Sequence, residues 1–375
     1  MKILVLFTYK NSLSTWKSSG IINRELSYYN YLSENNSVKY TFLTFGDNSE
    51  HQYLKNYQNL SVIPIYEYIK KSDRNFKLFL RTLKLPFLIK EELKDISLIK
   101  TNQLNGSWIA ILLKLITKKP LLIRTGYDAF IFSIKDKKSL FKKILYYLLT
   151  QVSLIFSDLY TVTSKDDFEF IKKKYFFNKT KLKIRPNWVV VNQNMKYENR
   201  DNLRIITVGR LVEQKNYSYL IKEFSNSNHT IDIVGDGPEK IKLENLAKTL
   251  NTKINFLGNL PHNDLMNMLS STKYFISTSL FEGNSKVLLE ALASGCLVFA
   301  TDIENNSEII KHEQTGILYK LKEGDLVNSF EKYSNDDNSK DIPKNAVLHI
   351  SKNYSLSVVS DKEYSDYIWL LGQRD

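Results

Sequence analysis

Short apolar runs recur along this chain with helix-period stretches between them, and that alternation limits the folds open to it more than any single residue does. The runs lie near residues 1–7, 39–45, 62–65, 97–100, 121–124 and 160–163, and a second series follows at 204–208, 231–234, 255–258, 274–277 and 297–300. Runs this short and this uniformly apolar read as strands buried on both faces. Alternated with helices, they predict parallel sheets covered by helices on each side. Ligands of such sheets bind beyond the carboxyl ends of the strands. The residues just after each run are therefore the ones to examine.

The alternation is interrupted once. Arg185, Pro186 and Asn187 precede a polar run over 192–202, and the second series begins directly after it. This predicts a first domain over 1–188, a linker over 189–203, a second domain over 204–355, and a C-terminal helix within 356–375 that packs back on the first domain. That helix carries Tyr364, Tyr367, Ile368 and Leu371 at helical spacing. A chain of 375 residues with 43% hydrophobic composition can fill two cores. Residues 12–20 read as a Ser- and Lys-rich loop ending at Gly20, and 334–340 as a surface loop.

The most informative text is 277–295, STSLFEGNSKVLLEALASG, which follows the run at 274–277. It places Glu282 beside Gly283 in a loop, then a helix with Val287, Leu288, Ala291 and Leu292 on one face and Lys286 and Glu290 one turn apart on another. The loop-to-helix junction spans Gly283, Asn284, Ser285 and Lys286. Its open backbone N–H groups and helix dipole suit a phosphate. Two carboxylates flanking an anion site repel a phosphate unless they face hydroxyl groups, so the pair points to a sugar nucleotide. An exposed Lys286–Glu290 ion pair, worth about 0.3 kcal/mol, is the plain alternative.

After the strand ending at Val208 come Gly209, Arg210 and, five residues on, Lys215. The glycine permits a tight turn, and the two cations can grip a diphosphate. Gly235, Asp236, Gly237 and Pro238 read as a scaffold turn. Gly258 ends a further strand.

The combination of G-R-x4-K from Gly209 with E-x7-E from Glu282 to Glu290 resembles the donor site of retaining GT-B glycosyltransferases of family 4, also called glycosyltransferase group 1. The resemblance is dense from Arg204 to Tyr319 and architectural in the first half. It implies an α/β protein of the GT-B type, two Rossmann-like parallel-sheet domains facing across a cleft, with the donor held by the second domain and the acceptor by the first. It also implies a retaining transfer, of hexosyltransferase type, from a nucleotide diphosphate sugar to a glycan or lipid-linked saccharide, in bacterial surface polysaccharide or lipopolysaccharide biosynthesis. Arg210, Lys215 and Glu282 would be catalytic. Glu290, Gly283, Asn284, Ser285, Lys286, Gly209 and Gly258 would bind the donor, Gly258 beside the base. Gly20, Arg124 and Asp128 fall where the acceptor is expected, although the histidine common there is absent and an Arg124–Asp128 ion pair is the structural alternative. The resemblance requires neither metal nor cofactor. Other readings are a non-catalytic GT-B-like protein binding a nucleotide sugar or glycan, and another sugar-nucleotide chemistry on the same fold.

The net charge of +13 is concentrated in the first half. One cluster runs from Lys70 to Lys94, with Phe76, Phe79, Leu80 and Leu83 at helical spacing. A second runs from Lys135 to Lys143 and leads into the apolar text from Ile144 to Leu149. Two readings stand: amphipathic helices lying on anionic headgroups, or helices whose apolar face joins the core while the lysines solvate the back. No helix-turn-helix, zinc-knuckle or RNA-recognition text is present, which argues against nucleic acid. No stretch has the length of an uninterrupted bilayer span, and the apolar text at 1–7 is too short for a signal peptide. The expected location is cytoplasmic, peripheral on the inner face of the inner membrane. The single Cys296 excludes an internal disulfide and reads as a small core residue.

Overall fold

A computed structural model of the protein describes residues 1–176, 181–191, 197 and 200–372. It comprises two compact units, Met1–Arg185 with Ser360–Asp375, and Pro186–Val359.

Among the described residues the first unit holds a seven-stranded sheet. Its strands are β1 (Lys2–Leu6), β2 (Lys39–Thr44), β3 (Leu60–Pro64), β4 (Leu98–Thr101), β5 (Leu121–Arg124), β6 (Leu159–Val162) and β7 (Leu182–Ile184), in the order β3-β2-β1-β4-β5-β6-β7. Every pairing is parallel, with Leu4 of β1 set between Thr41 and Ile99. The second unit holds β8 (Asp201–Val208), β9 (Thr230–Val234), β10 (Ile254–Gly258), β11 (Thr272–Ser277), β12 (Leu297–Thr301) and β13 (Ile317–Tyr319), again wholly parallel, in the order β10-β9-β8-β11-β12-β13. Central strands such as β12 are buried along their full length, which is why they read as unbroken apolar runs. The edge strands β7 and β13 are only three residues long and carry too little pattern to be read from sequence.

Strand order reverses between β1 and β4 in the first unit, and between β8 and β11 in the second. At such a reversal the connecting helices leave on opposite faces, and the loops beyond the two carboxyl ends part to form a crevice.

Three local expectations change. Residues 12–20 contain a helix, Leu13–Ser18, because Ser12 and Thr15 form a reciprocal cap and Trp16 stacks on Phe7 with ring centroids 4.2 Å apart. Residues 334–340 include a 3-10 turn, Asp337–Asp341, capped by Asp336. The expected linker is packed at its start: Val189 is buried, next to the buried Trp188, and the Val189 N–H donates to the Tyr354 carbonyl at 2.9 Å. Its residues 192–196, 198 and 199 lie outside the described residues.

Candidate functional site

In the second unit, the loops after β8 and β11 lie at the reversal of strand order and are stitched together by backbone and side chains. The Leu280 N–H donates to the Gln214 carbonyl at 2.9 Å, the Gln214 amide donates to the Phe281 carbonyl at 2.8 Å, and the Thr278 hydroxyl donates to the Lys215 carbonyl at 2.7 Å. This brings together residues 63 to 67 apart in sequence. The Lys215 ammonium pairs with the Glu282 carboxylate, which also accepts from the Ser279 hydroxyl at 2.6 Å. Glu282 is 8% exposed, so most of its hydration is replaced by these two partners and its orientation is fixed.

Gly209 makes the turn that starts this loop. Its φ is +155°, and a Cβ there would lie 2.9 Å from both Lys215 Cε and Tyr217 Oη. The scaffold reading of Gly235 to Pro238 holds: a Cβ on Gly235 would meet the Gly209 carbonyl oxygen at 2.1 Å, and the Leu211 N–H donates to the Asp236 carbonyl at 3.0 Å. The neighbouring loop backbone thus sets the path from Gly209 to Leu211. Arg210 is exposed at the end of β8 and makes no ion pair among the described residues.

The helix Lys286–Ala293 starts at Ser285, whose hydroxyl accepts from the Leu288 N–H at 3.4 Å. Ser285 is therefore a cap. Asn284 is braced too: its side-chain oxygen accepts from the Asn187 N–H at 2.8 Å, and the Asn187 side chain donates to the Asn284 carbonyl at 2.5 Å. Both residues hold the junction in place. Lys286 lies over the Trp188 ring, 4.9 Å from its centroid. Glu290, one turn on, is 2% exposed and meets His262 Nε2 at 3.0 Å. Gly258 closes β10 with φ +68°, and its carbonyl accepts from the Gly235 N–H at 2.8 Å. Gly209, Arg210, Lys215, Gly258, Glu282 and Glu290 are all supplied by this one edge of the sheet.

His262, Ser279 and Thr278 were not singled out in the sequence. Ser279 and Thr278 are ordinary residues of a loop, and only the fold turns them onto Glu282 and Lys215. His262 had a signal, since it is one of five histidines and follows the carboxyl end of β10 by four residues.

In the first unit each of the expected acceptor residues has a structural contact of its own. Gly20, at φ +73°, ends the helix Leu13–Ser18 with its N–H on the Lys17 carbonyl. The Arg124 guanidinium donates to the Arg185 carbonyl at 3.2 Å. Asp128 is fully buried: its carboxylate accepts from the Ile131 N–H at 2.8 Å, capping the helix Ala129–Lys135, and from the Tyr175 hydroxyl at 3.4 Å. Burial pushes its carboxyl up to about 6. Asp128, expected beside the acceptor, is thus observed as the cap of the helix Ala129–Lys135.

Residues 192–347 match the family described as Glycosyl transferases group 1. An uncharacterized glycosyltransferase of Methanocaldococcus jannaschii is 27% identical over 269 residues, covering 66% of this chain and 65% of that protein. The N-acetylgalactosamine-N,N'-diacetylbacillosaminyl-diphospho-undecaprenol 4-alpha-N-acetylgalactosaminyltransferase of Campylobacter jejuni is 27% identical over 263 residues, covering 64% of this chain and 69% of that enzyme. The chain thus spans slightly less than two thirds of the first of these relatives. Among solved structures, Anabaena HepE in complex with UDP and glucose superposes with a TM-score of 0.75 at 16% identity, over 98% of this chain and 99% of that one. This likeness is one of fold: two parallel-sheet α/β units of the GT-B type.

Proposed function

We propose, from the match of residues 192–347 to the glycosyl transferases group 1 family, that the chain moves a hexosyl residue from a nucleotide diphosphate sugar to a lipid-linked saccharide with retention of anomeric configuration. The observation that carries this reading is the Lys215–Glu282 pair at the reversal of strand order. A cation and a carboxylate held at one point serve the two halves of a sugar diphosphate: the ammonium meets phosphate oxygens and the carboxylate accepts from sugar hydroxyls. Arg210 adds a second, exposed cation. As the bond to the diphosphate breaks, negative charge grows on the leaving group, and Arg210 and Lys215 stabilise it where it develops. Glu282 holds the sugar and stabilises positive charge at the anomeric carbon.

Glu290 binds the ribose hydroxyls, with its carboxylate oriented by His262. The N–H groups of Gly283 and Lys286 at the helix start face the phosphates. Because two side-chain cations neutralise the leaving group, this reading requires neither metal nor cofactor. The lipid-linked acceptor is supported by the resemblance to the C. jejuni enzyme, whose name specifies a diphospho-undecaprenol acceptor. With no described helix long and apolar enough to cross a membrane, the reading places the protein peripherally, on the cytoplasmic face of the inner membrane, in surface polysaccharide or lipopolysaccharide assembly.

The test is a thermal-shift screen against UDP, GDP, ADP, CMP and their sugar conjugates, with Arg210→Ala as control. Stabilisation by one nucleoside diphosphate that disappears in the variant is the expected result. Absence of a shift with every nucleotide would move the assignment to a non-catalytic GT-B-like protein.

A further inference from the structure

The helix Leu140–Phe156 in the first unit turns most of its large aliphatic residues outward. Phe141, Ile144, Leu145, Leu148, Val152 and Ile155 are all exposed, from 40% at Val152 to 75% at Phe141. At 100° per residue these six fall within an arc of roughly 100°. The buried side, diametrically opposite, carries Thr150, Ser153 and Leu154. There Ser153 meets Ser107 of the helix Ser107–Thr117 at 2.8 Å, a close approach made through small polar side chains. A solvated surface helix places its large apolar residues inward. This one fully buries only Leu154 of its large apolar residues, with Tyr147 and Leu149 partly buried against the core, and turns the six named above outward, so water is a poor medium for its outer face.

Two neighbouring elements expose apolar residues as well. The helix Ser107–Thr117 packs against both Leu140–Phe156 and Leu85–Leu88; it exposes Leu115, and the latter exposes Phe87 and Leu88. At the amino end of the long helix, residues 135–143 carry five lysines and one aspartate, and the helix itself has no Asp or Glu.

We propose that this face lies in the interfacial layer of an anionic lipid bilayer, with the apolar arc among the acyl chains and the lysines of 135–143 on acidic headgroups. A second copy of the chain would bring only apolar residues and more lysines to this surface, with no carboxylate on the helix to answer them, whereas an anionic bilayer supplies both the apolar medium and the countercharge. The helix is about 25 Å long and charged at one end only, which suits lying in the interface rather than crossing it. The purpose assigned to it, holding the chain where a lipid-linked acceptor is embedded, rests on the function proposed above.

The experiment is co-sedimentation of the purified full chain with phosphatidylcholine vesicles that either lack phosphatidylglycerol or contain about one third of it, at low and high salt. Two variants accompany it: Leu145→Ser with Leu148→Ser, and Lys142→Glu with Lys143→Glu. The positions in the first are at least half exposed, so folding is preserved, and unchanged melting temperatures confirm it. The expected result is that the wild type pellets with the anionic vesicles, that salt weakens this, and that each variant partitions roughly tenfold less. Failure of the wild type to pellet overturns the proposal, as does equal pelleting of the serine variant. Light scattering that shows a dimer, reduced to monomer by the serine substitutions, would instead assign the face to a second copy. The nucleotide-induced thermal shift is read on the same samples. If it is absent while vesicle binding persists, the donor reading fails and the membrane surface stands.

Discussion

At the scale of single residues the two carboxylates of the candidate site have different surroundings, and their variants should differ accordingly. Glu282 is held by Lys215 and Ser279, so Glu282→Ala should lower kcat by of order 100-fold while changing nucleotide affinity little. Glu290→Ala should mainly weaken donor binding. Because His262 orients Glu290, His262→Ala should follow Glu290→Ala in direction, raising Kd for the nucleotide by about tenfold. Isothermal titration alongside steady-state rates separates these effects, and equal losses of affinity alone in all three would contradict the roles. A buried residue supplies the pH dependence. Burial raises the Asp128 carboxyl from 3.8 to about 6, so between those values the folded chain binds more protons than the unfolded one. Stability therefore falls as pH rises from about 4 to 6, by of order 3 kcal/mol from this group. Asp167 is raised as well, chiefly by burial, with the same sign. Asp128→Asn keeps an acceptor for the Ile131 N–H and should flatten that part of the pH–stability curve, which urea denaturation at several pH values would reveal.

At the scale of elements, the C-terminal helix Leu356–Gly372 shows how a polar pair can fix a position. From Ser360 onward its residues belong to the first unit. There Glu363 pairs with Lys100 of β4, both buried, and Tyr367 donates to the same carboxylate. Asp366 accepts from Lys183 at 2.9 Å and from Arg185 at 2.6 Å. Charges removed from water to this extent are costly alone and tolerable together. Glu363→Ala, which strands the Lys100 ammonium, should therefore destabilise the protein by about 3–5 kcal/mol, whereas Lys100→Met combined with Glu363→Leu should cost much less. Chemical denaturation of wild type and these two variants tests this, and a double variant no more stable than Glu363→Ala would argue against the pairing. The same scale shows which way the apolar stripes of the basic clusters face. Lysines beside apolar text at helical spacing fit either a core-facing or an outward-facing stripe, and periodicity reports the stripe without its direction. In the first cluster Pro86 starts a second short helix, Leu85–Leu88, after Asn75–Thr82, leaving Phe76 and Leu80 exposed and Leu78 buried.

At the scale of the whole molecule, a transfer assisted by Arg210 and Lys215 should proceed unchanged in excess EDTA, measured as release of nucleoside diphosphate. Loss of turnover restored by a divalent cation would transfer the leaving-group role to a metal. The sequence by itself determined the layered α/β class, the series of strands, and the G-R-x4-K and E-x7-E texts, because strand burial and strand-end loops leave short-range patterns of apolarity, glycine and charge. It could not determine which loops meet. Lys215 reaches Glu282 and His262 reaches Glu290 only because β8, β10 and β11 share one sheet in an order set by crossovers, which no local pattern encodes. Nor could it tell that Asp128 is enclosed or that the 140–156 helix faces outward. Burial is a property of everything packed around a residue, and the tertiary structure alone decides what that is.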